Sequence, residues 1–207
     1  MDAQSRFQRL QKSDLDPSPF EQFQKWWLIA QEQVKLYPEF MILSTVDEKN
    51  YPQSRVVLLR GFTPPYFQFF TNYNSHKSTE LQKHPKASLL FFWKELGKQI
   101  RILGQVTPCT EMDSDNYWNT RPRESQIHAW ASAQSAPIAN YETLLNNVKD
   151  IEEKFKDTPI PRPPHWGGLQ LEAESFEFWQ EGEFRLHHRF TYSKISPQQW
   201  QITRLNP

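Results

Sequence analysis

Residues 40–60 read FMILSTVDEKNYPQSRVVLLR and contain two runs that are typical of β-strands. The runs at 40–46 and 52–60 are rich in β-branched and long aliphatic residues, which favour strands. Between them, the segment from Asp47 to Asn50 supplies residues that favour a turn. The stretch therefore predicts two antiparallel neighbours joined by a short connection.

The same strand pattern recurs along the rest of the chain. It is found at 66–71, 87–93, 98–108, 169–179, 184–192 and 199–204. Most connections are too short for a crossover helix, so consecutive strands are expected to pair antiparallel. The pattern predicts a mainly β fold with helices (α+β), closed into a small barrel because closure removes exposed sheet edges.

Four segments carry helix signals. In the first, Ser18 can cap the start, Glu21 completes a capping box and Pro38 ends the helical spacing. The others are expected at 76–83, from Thr110 to near Pro122, and at 141–155. Residues 1–17 are polar without apolar periodicity and predict a flexible arm, residues 18–207 a single domain, and the Pro-rich stretch 159–168 a rigid surface connector.

Charge and composition exclude several classes of protein. The 207 residues hold 24 Lys+Arg and 24 Asp+Glu, a formal net charge of +0, which argues against broad nucleic-acid binding. The single cysteine, Cys109, cannot form an internal disulfide and fits a reducing compartment. No apolar run is long enough to span a bilayer, and no signal-peptide core is visible, so a soluble cytoplasmic protein is expected.

Two clusters of basic residues could bind anions. In an extended segment, Arg185, His187 and Arg189 would point to one face and concentrate positive charge there. His76 and Lys77 lie where a helix is expected to begin, and free backbone N–H groups at that position favour an anion such as phosphate.

A third cluster surrounds Pro122. Tyr117 and Arg121 are four residues apart on one helical face, and Ser125 follows on the loop after the proline. Two hydroxyls and a guanidinium could hold a second phosphate, although a Tyr–Arg pair at this spacing is more often explained by packing.

Other candidates are weaker when taken alone. Arg55 and Arg60 bracket four apolar residues and could be the solvated ends of a buried strand. Gln134 and Ser135 lie in a polar loop that is weakly informative. The chain shows no phosphate-binding glycine loop and no serine nucleophile elbow, and its six histidines lack the spacing of metal ligands, so no metal is expected.

Taken in order, these segments resemble the pyridoxamine 5′-phosphate oxidase family. The resemblance runs from about Pro19 to Pro207 and is carried by the motifs SRVVLLR, FFTNYNSHKSTEL, LLFFW, RPRESQIHAWASAQSAPI, PRPPHWGG, EFWQ, RLHHR and RLNP. Each motif is modest alone, whereas the ordered set is specific.

The resemblance implies an FMN-binding split β-barrel that forms a homodimer, with FMN bound where the subunits meet. It also implies oxidation of pyridoxamine or pyridoxine 5′-phosphate to pyridoxal 5′-phosphate in vitamin B6 metabolism. Hydride would pass from the substrate C4′ to flavin N5, and O2 would reoxidise the flavin with release of H2O2, and of ammonia from the amine. In such enzymes the protein binds and polarises while the cofactor performs the redox chemistry.

Roles carried over from the family fall into three sets. The FMN-binding set is Arg55, Val56, Val57, Leu58, Leu59, Arg60, Phe70, Thr71, His76, Lys77, Gln99, Gln134, Ser135, Trp179 and Arg189. The substrate-binding set is Arg60, Tyr117, Arg121, Ser125, Arg185 and His187. Arg185 and His187 are the implied catalytic residues, placed over the pyridine ring.

Four positions depart from the family pattern. Lys is usual where Arg60 stands, Arg at His76, Gly at His128 and Asp at His188. The first two alter the reach or charge of the phosphate contacts. These departures bear on rate and affinity more than on reaction class.

Two other functions remain compatible with parts of the pattern. One is a non-catalytic split barrel that binds flavin or carries pyridoxal phosphate. The other is a flavin reductase or haem-handling relative on the same barrel. Neither needs the whole substrate set, and retention of Tyr117, Arg121, Ser125, Arg185 and His187 therefore favours the oxidase.

Overall fold

The computed structural model describes residues 9–196 and 198–207, and its centre is one antiparallel sheet. The strands are β1 (Phe40–Val46), β2 (Pro52–Leu58), β3 (Gly61–Thr63), β4 (Tyr66–Asn72), β5 (Lys86–Trp93), β6 (Lys98–Pro108), β7 (Trp166–Gln180), β8 (His188–Ser196) and β9 (Gln199–Leu205). Their order is β2-β1-β5-β6-β7-β4-β3, and β8 pairs with both β7 and β9. The predicted mainly β fold with helices, and its antiparallel pairing, are confirmed.

Strand β7 is the branch point of the sheet. Its first half pairs with β4 and its second half with β8, so one strand edge serves two neighbours. The β6–β7 register shifts between Leu103 and Gly104, a bulge that increases local twist. In the described residues no ladder joins β2 to β3, so the sheet curls into a split barrel rather than the fully closed barrel expected from strand lengths.

In the part of the chain that the structure describes, five α-helices decorate the sheet. They are α1 (Pro19–Gln33), α2 (His76–Lys83), α3 (Glu111–Thr120), α4 (Arg123–Ala131) and α5 (Tyr141–Lys154). The Glu21 backbone N–H donates to Ser18 Oγ at the start of α1, and Thr110 and Asp113 form the capping box of α3. Helix α1 ends at Gln33, earlier than the expected stop at Pro38, because Val34 already has an extended backbone.

Helix α4 corrects the prediction of a loop after Pro122. Ile127 and Ala131, which are four residues apart, are both buried, so one face of α4 packs against the molecule. Ser125 therefore lies on the first turn of a helix. Proline before a helix does not hinder its first turn, which is why Pro122 starts α4 as well as ending α3.

The main core lies between α1 and the concave face of the sheet. Phe23 is fully buried, and its ring centre lies 4.9 Å from that of Phe67 and 5.3 Å from that of Phe91. Such ring pairs contribute about 0.5–1.5 kcal/mol each beyond area burial. A smaller core of Trp118, Ile127, Ile160 and Trp166 holds α3 and α4 against the sheet.

Two connecting segments pack more closely than predicted. Leu10 and Leu15 are buried in the main core, and Tyr192 Oη donates to the Asp16 carbonyl oxygen at 2.7 Å. Residues 9–17 are thus docked, which differs from the flexible arm predicted for 1–17, while residues 1–8 lie outside the described residues. The Pro-rich connector is also anchored, because Ile160 is buried and its carbonyl accepts the Trp118 indole N–H at 2.8 Å.

The strand predicted at 184–192 begins later than expected. Residues Glu183–Arg185 form a 3-10 turn in which Phe184 and Arg185 have φ of 53° and 65°. A strand cannot contain such left-handed residues, so β8 starts at His188. The prediction that Arg185, His187 and Arg189 share one strand face is therefore wrong.

Candidate functional site

A cavity of about 410 Å³ opens along the seam of the barrel. Strands β2 and β4 form one side, while α3, α4 and the following loop form the other. Among the residues predicted for a binding site, those that line it are Val56, Val57, Leu58, Arg60, Phe70, Thr71, Lys77, Tyr117, Arg121, Ser125 and Gln134. The fold thus brings parts of the predicted FMN and substrate sets into one space.

Lys77 forms a polar cradle in the wall of the cavity, here called the Lys77 end. Its Nζ lies 3.1 Å from Thr71 Oγ1, 3.0 Å from Ser75 Oγ and 3.0 Å from Gln134 Oε1. All three partners are neutral oxygens. Burial, with repulsion from Arg55, lowers the pKa of Lys77 to about 8. A partly desolvated ammonium on the first turn of a helix fits an incoming phosphate group.

Arg55 lies beside this cradle but turns toward the protein. Its Nη2 is 3.1 Å from Glu80 Oε2, and it does not line the seam cavity. His76 and Ser135 lie on the outer side of Gln134, where the His76 backbone N–H donates to Ser135 Oγ at 3.4 Å. Leu59, also predicted for the FMN set, is buried in the main core.

Arg121 provides a second cationic centre in the cavity. Its Nη2 donates to the Ser125 carbonyl oxygen at 2.9 Å, and its Cζ lies 4.7 Å from the Trp166 ring centre. The buried Nε has no hydrogen-bond partner among the described residues. Burial lowers the pKa of Arg121, with Tyr117 acting in the opposite direction and Arg60 adding repulsion. An unpartnered guanidinium N–H next to a second arginine fits an anionic ligand.

Aromatic rings form a flat wall beside Arg121. The ring centres of Phe70 and Tyr117 are 4.0 Å apart with an angle of 23° between the planes, and Trp166 stacks on both. Flat ligands stack on such surfaces, whose area is large and whose side chains are stiff.

The remaining predicted residues lie outside this cavity. Gln99, Trp179 and Arg189 are cross-strand partners on β6, β7 and β8. The His187 ring lies 4.7 Å from Trp179, and Arg185 is exposed. None of these five residues lines the seam cavity of its own chain. One chain thus carries two separate groups of predicted site residues.

Some lining residues were missed by the sequence reasoning. They are Asn72, His128, Ala129, Ser132 and Trp166. The sequence marks His128 only as a departure from the family pattern, whereas the structure places it on α4, where it lines the cavity. The stacking of Trp166 depends on the packing of α3 against β7, for which the sequence gives no local signal.

The fold and the cavity define the class of protein. It is a split antiparallel barrel, and the cavity in its seam is lined by cationic and aromatic side chains. A family model described as pyridoxamine 5′-phosphate oxidase matches residues 29–155. A second, described as the pyridoxine 5′-phosphate oxidase C-terminal dimerisation region, matches residues 166–207.

Similar proteins agree with these matches. Pyridoxine/pyridoxamine 5′-phosphate oxidase of Cyanothece sp. is 43% identical over 202 residues, covering 98% of this chain and 94% of the relative. The protein of the same name from Burkholderia mallei is 44% identical over 200 residues, covering 96% and 93%. The chain belongs to the pyridoxamine 5′-phosphate oxidase family, which confirms the resemblance and supports FMN as the cofactor.

Solved structures show the same fold. PhzG from Burkholderia lata 383, in complex with tetrahydrophenazine-1-carboxylic acid, superposes with a TM-score of 0.89 at 28% identity, covering 98% of this chain and 100% of PhzG. A pyridoxamine 5′-phosphate oxidase-related FMN-binding protein from Nostoc punctiforme gives a TM-score of 0.74 at 17% identity, covering 92% of this chain and 98% of that protein. The predicted split-barrel fold is confirmed.

Proposed function

We propose that this protein oxidises pyridoxamine 5′-phosphate or pyridoxine 5′-phosphate to pyridoxal 5′-phosphate in vitamin B6 biosynthesis and salvage. FMN, when bound, would supply the two-electron chemistry, and O2 would accept the electrons to give H2O2. With the amine substrate, water supplies the aldehyde oxygen and ammonia is released. The names of the relatives support this reaction, and the contacts of the cavity support it independently. The expected compartment is the cytoplasm, because a chain with the single cysteine Cys109 fits a reducing environment. Among the described residues, no helix combines the length and apolarity needed to cross a membrane.

The presence of two cationic ends in one cavity carries the proposal. Lys77 and Arg121 both line it with different contact partners, and the flat rings of Phe70 and Tyr117 line the same space. Each end suits one phosphate, and the rings suit a planar group. Two phosphorylated planar molecules in contact are what this oxidation needs, because FMN and its substrate are both of that kind.

The FMN phosphate is assigned to the Lys77 end. Lys77 would bind it directly, and Arg55, His76 and Ser135 would contribute from the adjoining surface. Strand β2 offers Val56, Val57 and Leu58 along the cavity, where edge and backbone groups can meet the rest of the flavin. Charge-assisted hydrogen bonds of this kind contribute about 1.5–3 kcal/mol each.

The substrate phosphate is assigned to the Arg121 end. Arg60, Tyr117 and Ser125 line the cavity around Arg121, so that two guanidinium groups and two hydroxyl groups lie near the place proposed for the phosphate. Holding the phosphate fixes the position of the pyridine ring relative to the flavin, which lowers the entropic part of the barrier.

The catalytic group is assigned to a partner subunit. Arg185, His187 and Trp179 do not reach the cavity of their own chain, and they lie within the matched C-terminal dimerisation region. The sheet face next to them carries exposed apolar side chains, with Phe92 53% exposed and Val56 57% exposed. A patch of this kind indicates a protein interface. A twofold-symmetric homodimer would then build each of its two sites, FMN included, from both chains.

His187 is oriented for hydrogen bonding to the substrate. The Gly182 backbone N–H lies 3.3 Å from His187 Nδ1, which makes Nδ1 the acceptor and leaves the proton of the neutral ring on Nε2. That N–H can donate to a substrate oxygen or nitrogen, and the Arg185 guanidinium can stabilise negative charge that develops there.

The PhzG neighbour supports a second candidate, an oxidase that acts on a larger carboxylated ring system. The cluster of Arg60, Tyr117, Arg121 and Ser125 favours a phosphate, because two guanidiniums and two hydroxyls exceed what one carboxylate requires. A non-catalytic flavin carrier is the third possibility.

Anaerobic mixing with pyridoxamine 5′-phosphate separates the three functions. The FMN-loaded protein should lose its visible flavin absorbance on mixing and regain it when O2 is admitted. Binding without bleaching would indicate a carrier. Bleaching by a dihydroaromatic carboxylate, but not by either B6 phosphate, would indicate the PhzG-like activity.

A further inference from the structure

Helix α2 places a buried carboxylate among the cations of the phosphate site. Glu80 is only 9% exposed and lies one turn after Lys77, so the two side chains are neighbours on the helix. Glu80 Oε2 accepts a hydrogen bond from Arg55 Nη2 at 3.1 Å and another from the Thr45 hydroxyl.

The same contacts hold Arg55 in one orientation. Arg55 Nη1 donates to Thr45 Oγ1 at 2.5 Å and to the Gln53 carbonyl oxygen at 3.2 Å, while Nη2 is bound by Glu80. Both terminal nitrogens are therefore fixed. A guanidinium that is held in this way loses little freedom when a ligand arrives.

Glu80 also balances the charge of the two cations. Arg55 disfavours the charged form of Lys77, and Glu80 favours it. Other charged groups near this surface are Asp47, Glu48 and Lys49 of the β1–β2 turn, and His76 on α2 also faces it. Glu48 is paired with Lys83, and the Glu80 carboxylate is the one in contact with Arg55.

We propose that Glu80 is a positioning residue for the FMN phosphate: it pins Arg55 and allows Arg55 and Lys77 to remain charged side by side until the phosphate binds. The inference rests on the proposed function, because it concerns the same phosphate site. Without Glu80, the two cations would face each other with only neutral oxygens around Lys77, and Lys77 would release its proton more readily.

The first test follows Lys77 directly and needs no ligand. The titration of its side chain is measured by NMR in protein with isotope-labelled lysine, assigned by the loss of one signal in Lys77→Arg. In Glu80→Gln the midpoint should fall by about one pH unit, because an attraction of that order is removed. Glu48→Gln should leave the midpoint unchanged. Thr45→Val disturbs the same hydrogen bonds but keeps the carboxylate, and it should also leave the midpoint near that of the unmodified protein.

The second test isolates the phosphate by comparing FMN with riboflavin, which lacks it. From pH 7 to pH 9 the FMN dissociation constant should rise about tenfold in the unmodified protein and about fiftyfold in Glu80→Gln, as a one-unit shift from a midpoint near 8 requires. Riboflavin binding should not change over this range in either protein.

An unshifted Lys77 midpoint in Glu80→Gln overturns the proposal, as does a riboflavin response equal to that of FMN. If the Lys77 midpoint shifts but the protein binds neither flavin, the role of Glu80 in balancing the charge of Lys77 is supported, and the proposed function is wrong. Gln can accept the same hydrogen bonds from Arg55 and Thr45, so the fold should persist, and thermal melting of both variants checks this.

Discussion

Replacing Lys77 with methionine removes the ammonium from the proposed FMN phosphate site and keeps much of the aliphatic chain. The three partners of Lys77 Nζ are neutral oxygens, so the substitution leaves no buried charge unpaired. The lost contact is a charge-assisted hydrogen bond of about 1.5–3 kcal/mol, which corresponds to about a 10- to 150-fold higher FMN dissociation constant at pH 7.

The direction in which FMN affinity changes with pH follows from the pKa of Lys77. Burial and the repulsion from Arg55 lower the pKa of Lys77 to about 8, so the free protein holds the cation below pH 8 and loses it above. Phosphate favours the charged form. FMN affinity should therefore be nearly constant below that pH and fall by about tenfold per unit above it, whereas Lys77→Met should show no such fall.

The assay is a titration of flavin fluorescence from pH 7 to pH 9.5 with FMN and with riboflavin. Lys83→Met is the matched control, because Lys83 lies on the same helix but pairs with Glu48 on the exposed surface. Equal FMN affinity in Lys77→Met and the unmodified protein would contradict the assignment of Lys77 to the phosphate. A loss of riboflavin affinity as large as that of FMN would contradict it as well.

Three further outcomes follow from the contacts of the site and core. Arg121→Ala should raise the KM for the phosphorylated substrate by about tenfold or more with a smaller effect on kcat, because it removes ground-state binding; an unchanged KM in steady-state assays contradicts the assignment. Arg185→Ala and His187→Ala should each lower kcat by roughly a hundredfold while FMN is retained, as measured by turnover and by flavin content after purification; loss of flavin with normal turnover on reconstitution would reverse the roles. Phe23→Ala should lower the free energy of unfolding by about 3–5 kcal/mol, because it empties a fully buried position; denaturant unfolding measures this, and Phe184→Ala, at a position 91% exposed, should leave stability unchanged.

The local sequence pattern was sufficient to predict the positions of many strands of the sheet. The strands predicted at 40–46 and 98–108 coincide with β1 and β6, because alternating burial along an extended chain leaves a clear period in the sequence. The capping signals of Ser18 and Thr110 also marked helix starts, since a cap is a contact within a few residues.

Features that depend on contacts between residues far apart in the sequence could not be predicted from the local pattern. Helix α4 has a weak apolar stripe, and the burial of Ile127 beside Trp118 and Trp166 stabilises it. Phe184 and Arg185 have left-handed backbone angles although neither is glycine, so the local sequence gives no signal of this turn.

The sequence predicts which residues belong to the candidate site better than it predicts how the folded chain arranges them. Arg55 was assigned to the phosphate from the family motif, but its partner Glu80 lies 25 residues away and became visible only in the folded chain. The separation of His187 from Arg121 is likewise a property of the tertiary structure, and only the barrel shows that one chain does not bring them together.

Mixed dimers reveal whether each site is built from both chains of a homodimer. Arg121→Ala and His187→Ala chains, each with a different affinity tag, are co-expressed, and the doubly tagged dimer is purified. Two impaired chains should then form one intact and one doubly defective site, with about half the activity of the unmodified dimer at a substrate concentration well below the KM of the Arg121→Ala parent. If, at that concentration, the purified mixed dimer is no more active than the more active of its two parents, Arg121 of one chain and His187 of the other do not share a site.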